Sequence, residues 1–382
     1  MNTFTDKGLL PQGLRDLLPP QAAIEADLVE RLMAVLASHG YERVEPPLIE
    51  FEDSLLSGAG AAMAKETFRL MDPVSQRMVG MRADMTPQVA RIAATRLLHV
   101  PRPLRLSYAG QVLRVKGDQL NPERQLGQVG AELIGSEEIA ADLEALTVAA
   151  EALDRGGVTR ISVDLTLPRL VPLLCEALGL DPSRAERVRA ALDHKDAAAV
   201  ATVGGPAAAL MGKLLAAAGA ADRALSVLAS LNLPGEAAAE CQRLGTVVAQ
   251  LKARMPTLAI TVDPVENRGF EYHTGISFTF FARDVRGELG RGGRYRTGNG
   301  AGEPATGFTL YSDTVMQAIA GPSVPRRLYV PMGSDAAAAA RLRSEGWITV
   351  AALVSGDAAS EARRLGCSHC LIDGKAVALG VG

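Results

Sequence analysis

Residues 127–132 read Gly-Gln-Val-Gly-Ala-Glu, a stretch in which polar and apolar side chains alternate. Successive side chains of an extended chain point to opposite faces, so Gln128, Gly130 and Glu132 share one face of a predicted strand. A glycine at the centre of this polar face leaves room for a ligand against the sheet. A solvated sheet face would show the same alternation, so the stretch by itself supports both interpretations.

Further strands are predicted on both sides of this stretch. They cover residues 66–71 and 77–84 (a hairpin), 104–116, 126–134, 158–165, 258–265, 272–281 and 306–311. Apolar residues at helical spacing between Ile24 and Leu36 predict a helix before them, and Thr86-Pro87 opens a second one. Strands without a regular strand–helix–strand alternation imply a mixed, mostly antiparallel sheet flanked by helices. The fold class is therefore predicted to be α+β.

The length and a change in composition predict the domain organisation. A chain of 382 residues suggests two or three domains. Alanine and leucine dominate residues 167–255, which we interpret as a helical insertion into a body formed by 1–166 and 256–322. Residues 323–382 alternate short strands and helices and predict a small α/β domain at the C-terminus.

Charge and hydrophobicity bear on the partners and the location of the chain. The net charge is −3 with 48% hydrophobic residues, which describes a folded protein without the basic excess typical of proteins that bind large nucleic acids. We therefore expect no tRNA partner. No apolar run reaches the ~18 residues of a membrane span. Residues 1–16 show no apolar signal core, so we expect a cytoplasmic protein.

The four cysteines do not indicate a disulfide framework in a chain of this length. Cys367 and Cys370 form a Cys-x-x-Cys pair around His369. Structural zinc takes four ligands, and a second ligand pair is missing. We interpret the pair as reduced thiols and expect neither a metal nor a cofactor.

A carboxylate and a hydroxyl lie two residues apart in Arg-Ala-Asp-Met-Thr-Pro, residues 82–87. On an extended chain Asp84 and Thr86 point to the same side, where they could hold an ammonium group. Either residue could instead cap the helix that begins here. Both interpretations stay open.

Two further segments contain candidate binding residues. Leu-Arg-Val-Lys at 113–116 contains Arg114, and Arg-Gly-Phe-Glu-Tyr-His-Thr-Gly at 268–275 contains Arg268, Tyr272 and His273. The planar fork of an arginine suits a carboxylate, and Tyr and His can hydrogen-bond a polar ring. A lone histidine is more often structural than functional.

The glycine-rich segments do not predict a phosphate site. Gly-Arg-Gly-Gly-Arg-Tyr at 290–295 and Ser-Gly-Ala-Gly at 57–60 both lack the spacing of a phosphate-binding loop.

These segments, together with Leu-Pro-Gln-Gly-Leu-Arg-Asp at 10–16, resemble the catalytic body of histidyl-tRNA synthetases, which are class II synthetases. The resemblance covers roughly residues 8–320 and implies a class II synthetase-like fold. In that family the matching positions bind histidine. The resemblance assigns the α-amino group to Asp84, Thr86 and Gln128, the carboxylate to Arg114 and Arg268, and the imidazole to Glu132 with Tyr272 or His273. The family usually has Glu at position 84 and Tyr at position 273.

The departures from the synthetases concern the ATP site. Their second motif has Glu where this chain has Lys116, and their third motif ends in an arginine that faces the γ-phosphate. Residues 307–314, Gly-Phe-Thr-Leu-Tyr-Ser-Asp-Thr, contain no arginine, and Asp313 would repel a phosphate. Adenylyl transfer depends on positioned positive charge, so we expect no amino-acid activation.

Residues 326–382 are also much shorter than the anticodon-binding domain of the synthetases. Retention of a histidine site with loss of the ATP site and the tRNA reader resembles the regulatory subunits of short-form ATP phosphoribosyltransferase. The resemblance implies a non-catalytic subunit of that glycosyltransferase, which binds L-histidine for feedback inhibition of the first step of histidine biosynthesis. The implied partners are a second copy, through the proline-bearing stretch 44–51, and a separate catalytic subunit in a hetero-octamer.

Two alternatives from other classes remain. The chain could be an authentic histidyl-tRNA synthetase, or it could be a histidine sensor for another partner.

Overall fold

The computed structural model describes residues 8–117, 122–202, 204–266, 272–298, 302–319 and 326–380. The chain divides into two compact units, Met1–Ala320 and Gly321–Gly382. Arg268 lies outside the described residues.

A nine-stranded sheet organises the first unit. Its strands are β1 (Glu42–Arg43), β5 (Leu104–Leu113), β6 (Gln125–Ile134), β7 (Ile161–Thr166), β8 (Gly219–Ala220), β9 (Ala259–Asp263), β10 (His273–Ala282), β11 (Gly290–Arg296) and β12 (Pro304–Tyr311). They lie in the order β1-β5-β6-β12-β11-β10-β7-β9-β8. Among the described strands of this sheet, only the pairs β1–β5 and β7–β9 are parallel. The predicted mixed, mostly antiparallel sheet is confirmed.

The predicted hairpin belongs to a separate three-stranded sheet. Strands β3 (Arg69–Met71) and β4 (Met78–Met81) pair antiparallel, and β2 (Ile49–Phe51) pairs with the other edge of β4. The short helices α2 (Glu52–Leu55) and a 3₁₀ helix (Gly58–Met63) follow β2.

Helices cover both faces of the large sheet. Helices α1 (Gln21–Ser38) and α4 (Ile139–Gly156) share one hydrophobic cluster with β7, β10 and β12, through residues such as Leu32, Leu146 and Leu165. Helix α3 (Thr86–Thr95) contributes Val89 to a second cluster with Leu106 of β5. The short helix α11 (Ser312–Ala318) follows β12 directly. Alternate residues of a strand point to opposite faces, so each face of the sheet has its own core.

Residues 167–255, which we call the helical segment, contain six helices in their described part. These are α5 (Leu170–Ala177), α6 (Pro182–Asp193), α7 (Ala197–Thr202), α8 (Gly205–Ala217), α9 (Ala221–Ser230) and α10 (Gly235–Arg254). Their buried alanines and leucines continue the cluster around α4. No described helix is long and apolar enough to cross a membrane.

The second unit is a four-stranded sheet with one helix on each face. Its strands are β13 (Arg327–Val330), β14 (Ile348–Ala351), β15 (His369–Ile372) and β16 (Lys375–Ala378), in the order β14-β13-β15-β16. Helices α12 (Ala336–Ser344) and α13 (Ala358–Arg364) pack on separate clusters. Cys367 and Cys370 are free, buried thiols in the cluster beside α13.

Residues 290–295, whose spacing does not fit a phosphate-binding loop, were not predicted to form a strand. They form β11, between β10 and β12. Glycine has a low strand propensity, so the glycine-rich sequence at 290–295 does not indicate a strand. Close packing selects the glycines instead, because a Cβ at Gly292 would lie 2.6 Å from the Phe278 ring.

Candidate ligand pocket

A buried carboxyl group lies at the centre of the site. Glu132 of β6 is only 1% exposed, and three hydroxyl groups surround it. Tyr295 donates to its Oε2 at 2.9 Å, while Thr86 and Tyr108 donate to Oε1 at 3.0 and 3.2 Å. Tyr108 also shares a hydrogen bond of 2.7 Å with Thr309. The polar face predicted around Glu132 is therefore buried, and the alternative of a solvated sheet face is excluded.

Two glycines let these side chains approach the neighbouring strands. Gly307 of β12 pairs directly with Glu132, and a Cβ there would lie 1.8 Å from Glu132 Oε2. A Cβ at Gly130 would lie 2.4 Å from the hydroxyl oxygen of Tyr108. Both contacts are far inside van der Waals distance, so any larger residue at either position would displace the group it meets.

Burial raises the pKa of Glu132 to about 8, and the nearby Asp84 carboxylate adds to the shift. The hydrogen bonds from Tyr295, Thr86 and Tyr108 favour the ionised form and partly offset the cost of burial. The carboxyl group therefore keeps its proton to a higher pH than an exposed glutamate does. A cationic ligand placed beside it would favour loss of that proton.

Asp84 links the start of α3 to β6. Its Oδ1 accepts a hydrogen bond from the backbone N–H of Thr86 at 2.8 Å, and its Oδ2 accepts one from Gln128 Nε2 at 3.1 Å. Gln128 Oε1 in turn accepts from the N–H of Met85 at 3.0 Å. Asp84 thus satisfies a backbone group at the helix start, as the capping interpretation required, and it still faces the cavity. The hydroxyl of Thr86 bonds Glu132 instead of capping the helix.

These groups line a small cavity of about 60 Å³. Six of the residues singled out from the sequence lie on its wall: Asp84, Thr86, Arg114, Glu132, Tyr272 and His273. Gln128 is buried behind Asp84 and reaches the cavity only through that carboxylate. The ring centroids of Tyr272 and His273 lie 4.1 Å apart, and the ring planes are tilted by 32°.

Part of the wall consists of residues that were not predicted from the sequence. The additional polar residues are Arg291, Tyr295, Thr309 and Tyr311. They come from β11 and β12, which only the pairing of the sheet brings beside β6. Arg291, Gly293 and Tyr295 are two residues apart, so a strand at 290–296 would place them on one face. This spacing is the signal in the sequence that could have identified Arg291 and Tyr295 as pocket residues.

A second cavity of about 580 Å³ adjoins the first and shares Arg114, Arg291 and Tyr311 with it. Asp313 occupies part of its wall. The Asp313 carboxylate accepts a hydrogen bond from the N–H of Gly127 at 2.8 Å and lies 3.4 Å from Arg15 Nη2. The Asp313 carboxylate therefore occupies one backbone donor and partly neutralises one cation, Arg15, at this wall. Among the described residues, no group of three or more His, Cys, Asp or Glu side chains is placed to hold a metal ion.

The pKa of Glu132 predicts a pH-dependent stability. The folded state keeps the proton up to about pH 8, whereas an unfolded glutamate releases it near its ordinary value of 4.5. The folded state binds more protons between these values, so the free energy of unfolding falls as the pH rises through this range. We expect Glu132→Gln, which cannot titrate, to flatten this decline in urea unfolding measured from about pH 5 to about pH 8. Glu345→Gln, at an exposed position, is the control, and equal slopes in all three proteins would contradict the prediction.

Comparison with known proteins identifies the family. The histidyl-tRNA synthetase family model matches residues 13–315. The ATP phosphoribosyltransferase regulatory subunit of Paramagnetospirillum magneticum is 59% identical over 372 residues, which cover 97% of this chain and 98% of that protein. Two solved structures share the fold at lower identity. One is an ATP phosphoribosyltransferase regulatory subunit/histidyl-tRNA synthetase from Bacillus halodurans, with a TM-score of 0.80, 22% identity and coverage of 95% and 97% of the two chains. The other is an ATP phosphoribosyl transferase (HisG:HisZ) complex from Thermotoga maritima, with a TM-score of 0.61, 17% identity and coverage of 75% and 97%.

These matches confirm the class II synthetase-like α+β fold. The family model covers the large sheet and the pocket, and the high identity extends over the remainder of the chain. The chain belongs to the ATP phosphoribosyltransferase regulatory subunits, a family built on the histidyl-tRNA synthetase fold.

Proposed function

We propose that this chain binds free L-histidine in the pocket around Glu132 and thereby inhibits a separate catalytic subunit of ATP phosphoribosyltransferase, whose activity requires this chain. The observation that carries the proposal is the buried Glu132 carboxyl group in a small cavity with Arg114 on its wall. A zwitterion with a polar ring needs an anion, a cation and a ring partner, and this cavity offers all three.

Each part of histidine has a partner in the pocket. The α-amino group pairs with Asp84 beside Thr86, and Gln128 supports this contact by holding the Asp84 carboxylate. We assign the ligand carboxylate to Arg114, and to Arg268 from the resemblance alone, since an arginine fork matches the geometry of a carboxylate. The imidazole lies against Glu132 with Tyr272 or His273.

The protonation state of Glu132 suits an imidazole ligand. A carboxyl group with a pKa of about 8 can donate its proton to a ring nitrogen or release it and accept a hydrogen bond from the ring. Two imidazoles can also lie side by side when one of them is neutral, so His273 is compatible with this pocket.

The second cavity supports the absence of amino-acid activation. Asp313 adds a negative charge to a wall that also carries Arg15, Arg114 and Arg291, and it already uses the N–H of Gly127. Phosphoryl-transfer chemistry depends on positioned positive charge, which this carboxylate partly neutralises. This favours a regulatory role over the alternative of an active synthetase.

The partner is inferred from the relatives. The matched Thermotoga maritima structure is an ATP phosphoribosyl transferase complex, and its fold match covers 75% of this chain. We also propose that this chain forms a hetero-octamer with catalytic subunits. The proposed domain boundaries are 1–166 with 256–322 for the body, 167–255 for the helical insertion and 323–382 for the C-terminal domain. The four free cysteines are compatible with the cytoplasmic location that we propose.

Exposed apolar side chains support a homodimer. They concentrate on and around the three-stranded sheet: Leu48, Ile49, Phe51, Leu70, Met71, Val74 and Met78. Contiguous exposed apolar surface commonly marks a protein interface. We propose that a second copy covers this patch, which includes the end of the stretch 44–51.

Calorimetric titration with L-histidine tests the pocket. We expect Glu132→Ala and Arg268→Ala to weaken binding by about tenfold or more, because a hydrogen bond to a charged group contributes ~1.5–3 kcal/mol. Arg160→Ala, which removes an exposed arginine paired with Asp284, is the matched control and should bind like the wild type. Unchanged affinity in both pocket variants would rule out this pocket.

Phosphoribosyl transfer assays test the regulatory role. Adding this chain to the catalytic subunit should raise the rate, and histidine should lower it severalfold, in keeping with a coupling free energy of about 1–3 kcal/mol. The Glu132→Ala complex should keep its activity and lose the inhibition. A chain without effect on the catalytic subunit would refute the role, and histidine-dependent ATP–pyrophosphate exchange by the chain alone would favour the synthetase alternative.

Sedimentation analysis tests the homodimer. We expect Leu48→Glu with Met71→Glu to convert a dimer into a monomer, because two buried carboxylates per copy would face an apolar partner surface. Leu353→Glu with Val354→Glu, at exposed apolar positions of the second unit, is the matched control. A dimer that persists in the first variant would place the interface elsewhere.

A further inference from the structure

A second buried carboxylate lies close to the pocket without touching it. Asp142 of α4 is 2% exposed and lies between two arginines. Arg294 donates from Nε to its Oδ1 at 2.9 Å, and Arg243 donates from Nη2 to its Oδ2 at 2.6 Å. Each carboxylate oxygen thus faces a different guanidinium group.

Arg294 joins the two strands that form the centre of the pocket. It lies on β11 next to Tyr295, which donates to Glu132. From the opposite face of β11, Arg294 donates to the carbonyl oxygens of Ser136 at 2.7 Å and Glu138 at 3.0 Å. These residues follow β6 directly, and β6 carries Glu132. One guanidinium group therefore fixes the end of β6 relative to β11.

Arg243 adds the helical segment to this arrangement. It belongs to α10, the last helix of that segment, and donates to the carbonyl oxygen of Glu137 at 2.9 Å as well as to Asp142. The turn 136–138 is thus held by arginines from two sides. Without the charge of Asp142 the two guanidinium groups would face each other in a largely buried place, where unpaired charge is strongly unfavourable.

We propose that Asp142 is a positioning residue for the ligand pocket: through Arg294 and Arg243 it sets the relative position of the strands that carry Glu132 and Tyr295, and it connects them to the helical segment. This inference rests on the proposed histidine site for its functional consequence. Asp142, Arg294 and Arg243 do not line the cavity around Glu132. Their effect on the ligand is transmitted through the Glu132–Tyr295 hydrogen bond.

Three variants test the inference by calorimetry with L-histidine on the intact chain. Asp142→Asn keeps the shape of the side chain and removes its charge, and we expect about tenfold weaker binding, the change produced by ~1.4 kcal/mol. Arg243→Ala removes only the contact from the helical segment, at a partly exposed position that favours folding of the variant, and we expect severalfold weaker binding. Arg243→Lys keeps the charge and should restore most of the affinity. Lys252→Ala, which removes an ion pair with Asp222 from the same helix, is the matched control and should bind like the wild type.

A purely stabilising network would give a different result. The melting temperature would fall in Asp142→Asn and Arg243→Ala, while the affinity of the folded chain for histidine would stay unchanged. That outcome, or an equal loss of affinity in Lys252→Ala, would overturn the inference.

Hydrogen–deuterium exchange of the ligand-free chain separates this inference from the proposed function. If the wild type binds no histidine, the proposed function fails, and the positioning role is judged by exchange alone. Faster exchange confined to residues 128–138 and 291–296 in Arg243→Ala, compared with Lys252→Ala, would support it. Unchanged exchange in these segments would refute it.

Discussion

The burial of the Glu132 carboxyl group is the constraint on which the site depends. A buried carboxyl group is stable only with hydrogen-bond partners, and three hydroxyl groups from α3, β5 and β11 supply them. The carboxyl group itself fits beside the neighbouring strand because Gly307 has no Cβ, which would lie 1.8 Å from Glu132 Oε2. The order of the strands, the glycine opposite Glu132 and the raised pKa are therefore parts of one arrangement. The pocket lies where the sheet keeps the carboxyl group of Glu132 away from water.

The distribution of charge around this group decides which ligands suit the site. Asp84 and Arg114 place an anion and a cation on the wall of a small cavity, the arrangement on which the proposed binding of a zwitterion rests. The larger adjoining cavity contains Asp313, whose carboxylate accepts a hydrogen bond from the N–H of Gly127. The two cavities share Arg114, Arg291 and Tyr311, so the charges of one affect the other.

The sequence indicated much of the site, because its signals are local. The period-two pattern at 127–132 placed Gln128 and Glu132 on one face, and the two-residue spacing of Asp84 and Thr86 placed them on one side. All four meet in the structure. The pattern could not show that this face is buried, since a solvated face alternates in the same way. The local pattern also did not predict the strand at 290–296. Its glycines are selected by close packing in the folded chain, but in the sequence a glycine-rich segment resembles a loop.

The sequence alone determined the fold class and the polar face around Glu132. These features depend on residue type and on spacing along the chain, both of which can be read directly from the sequence. Only the tertiary structure decided that Tyr108 and Tyr295 hold Glu132, that Gln128 acts through Asp84, and that Asp142 joins β6, β11 and α10. Those contacts link residues from 24 to 163 positions apart, and they depend on strand order and register, which non-local packing fixes.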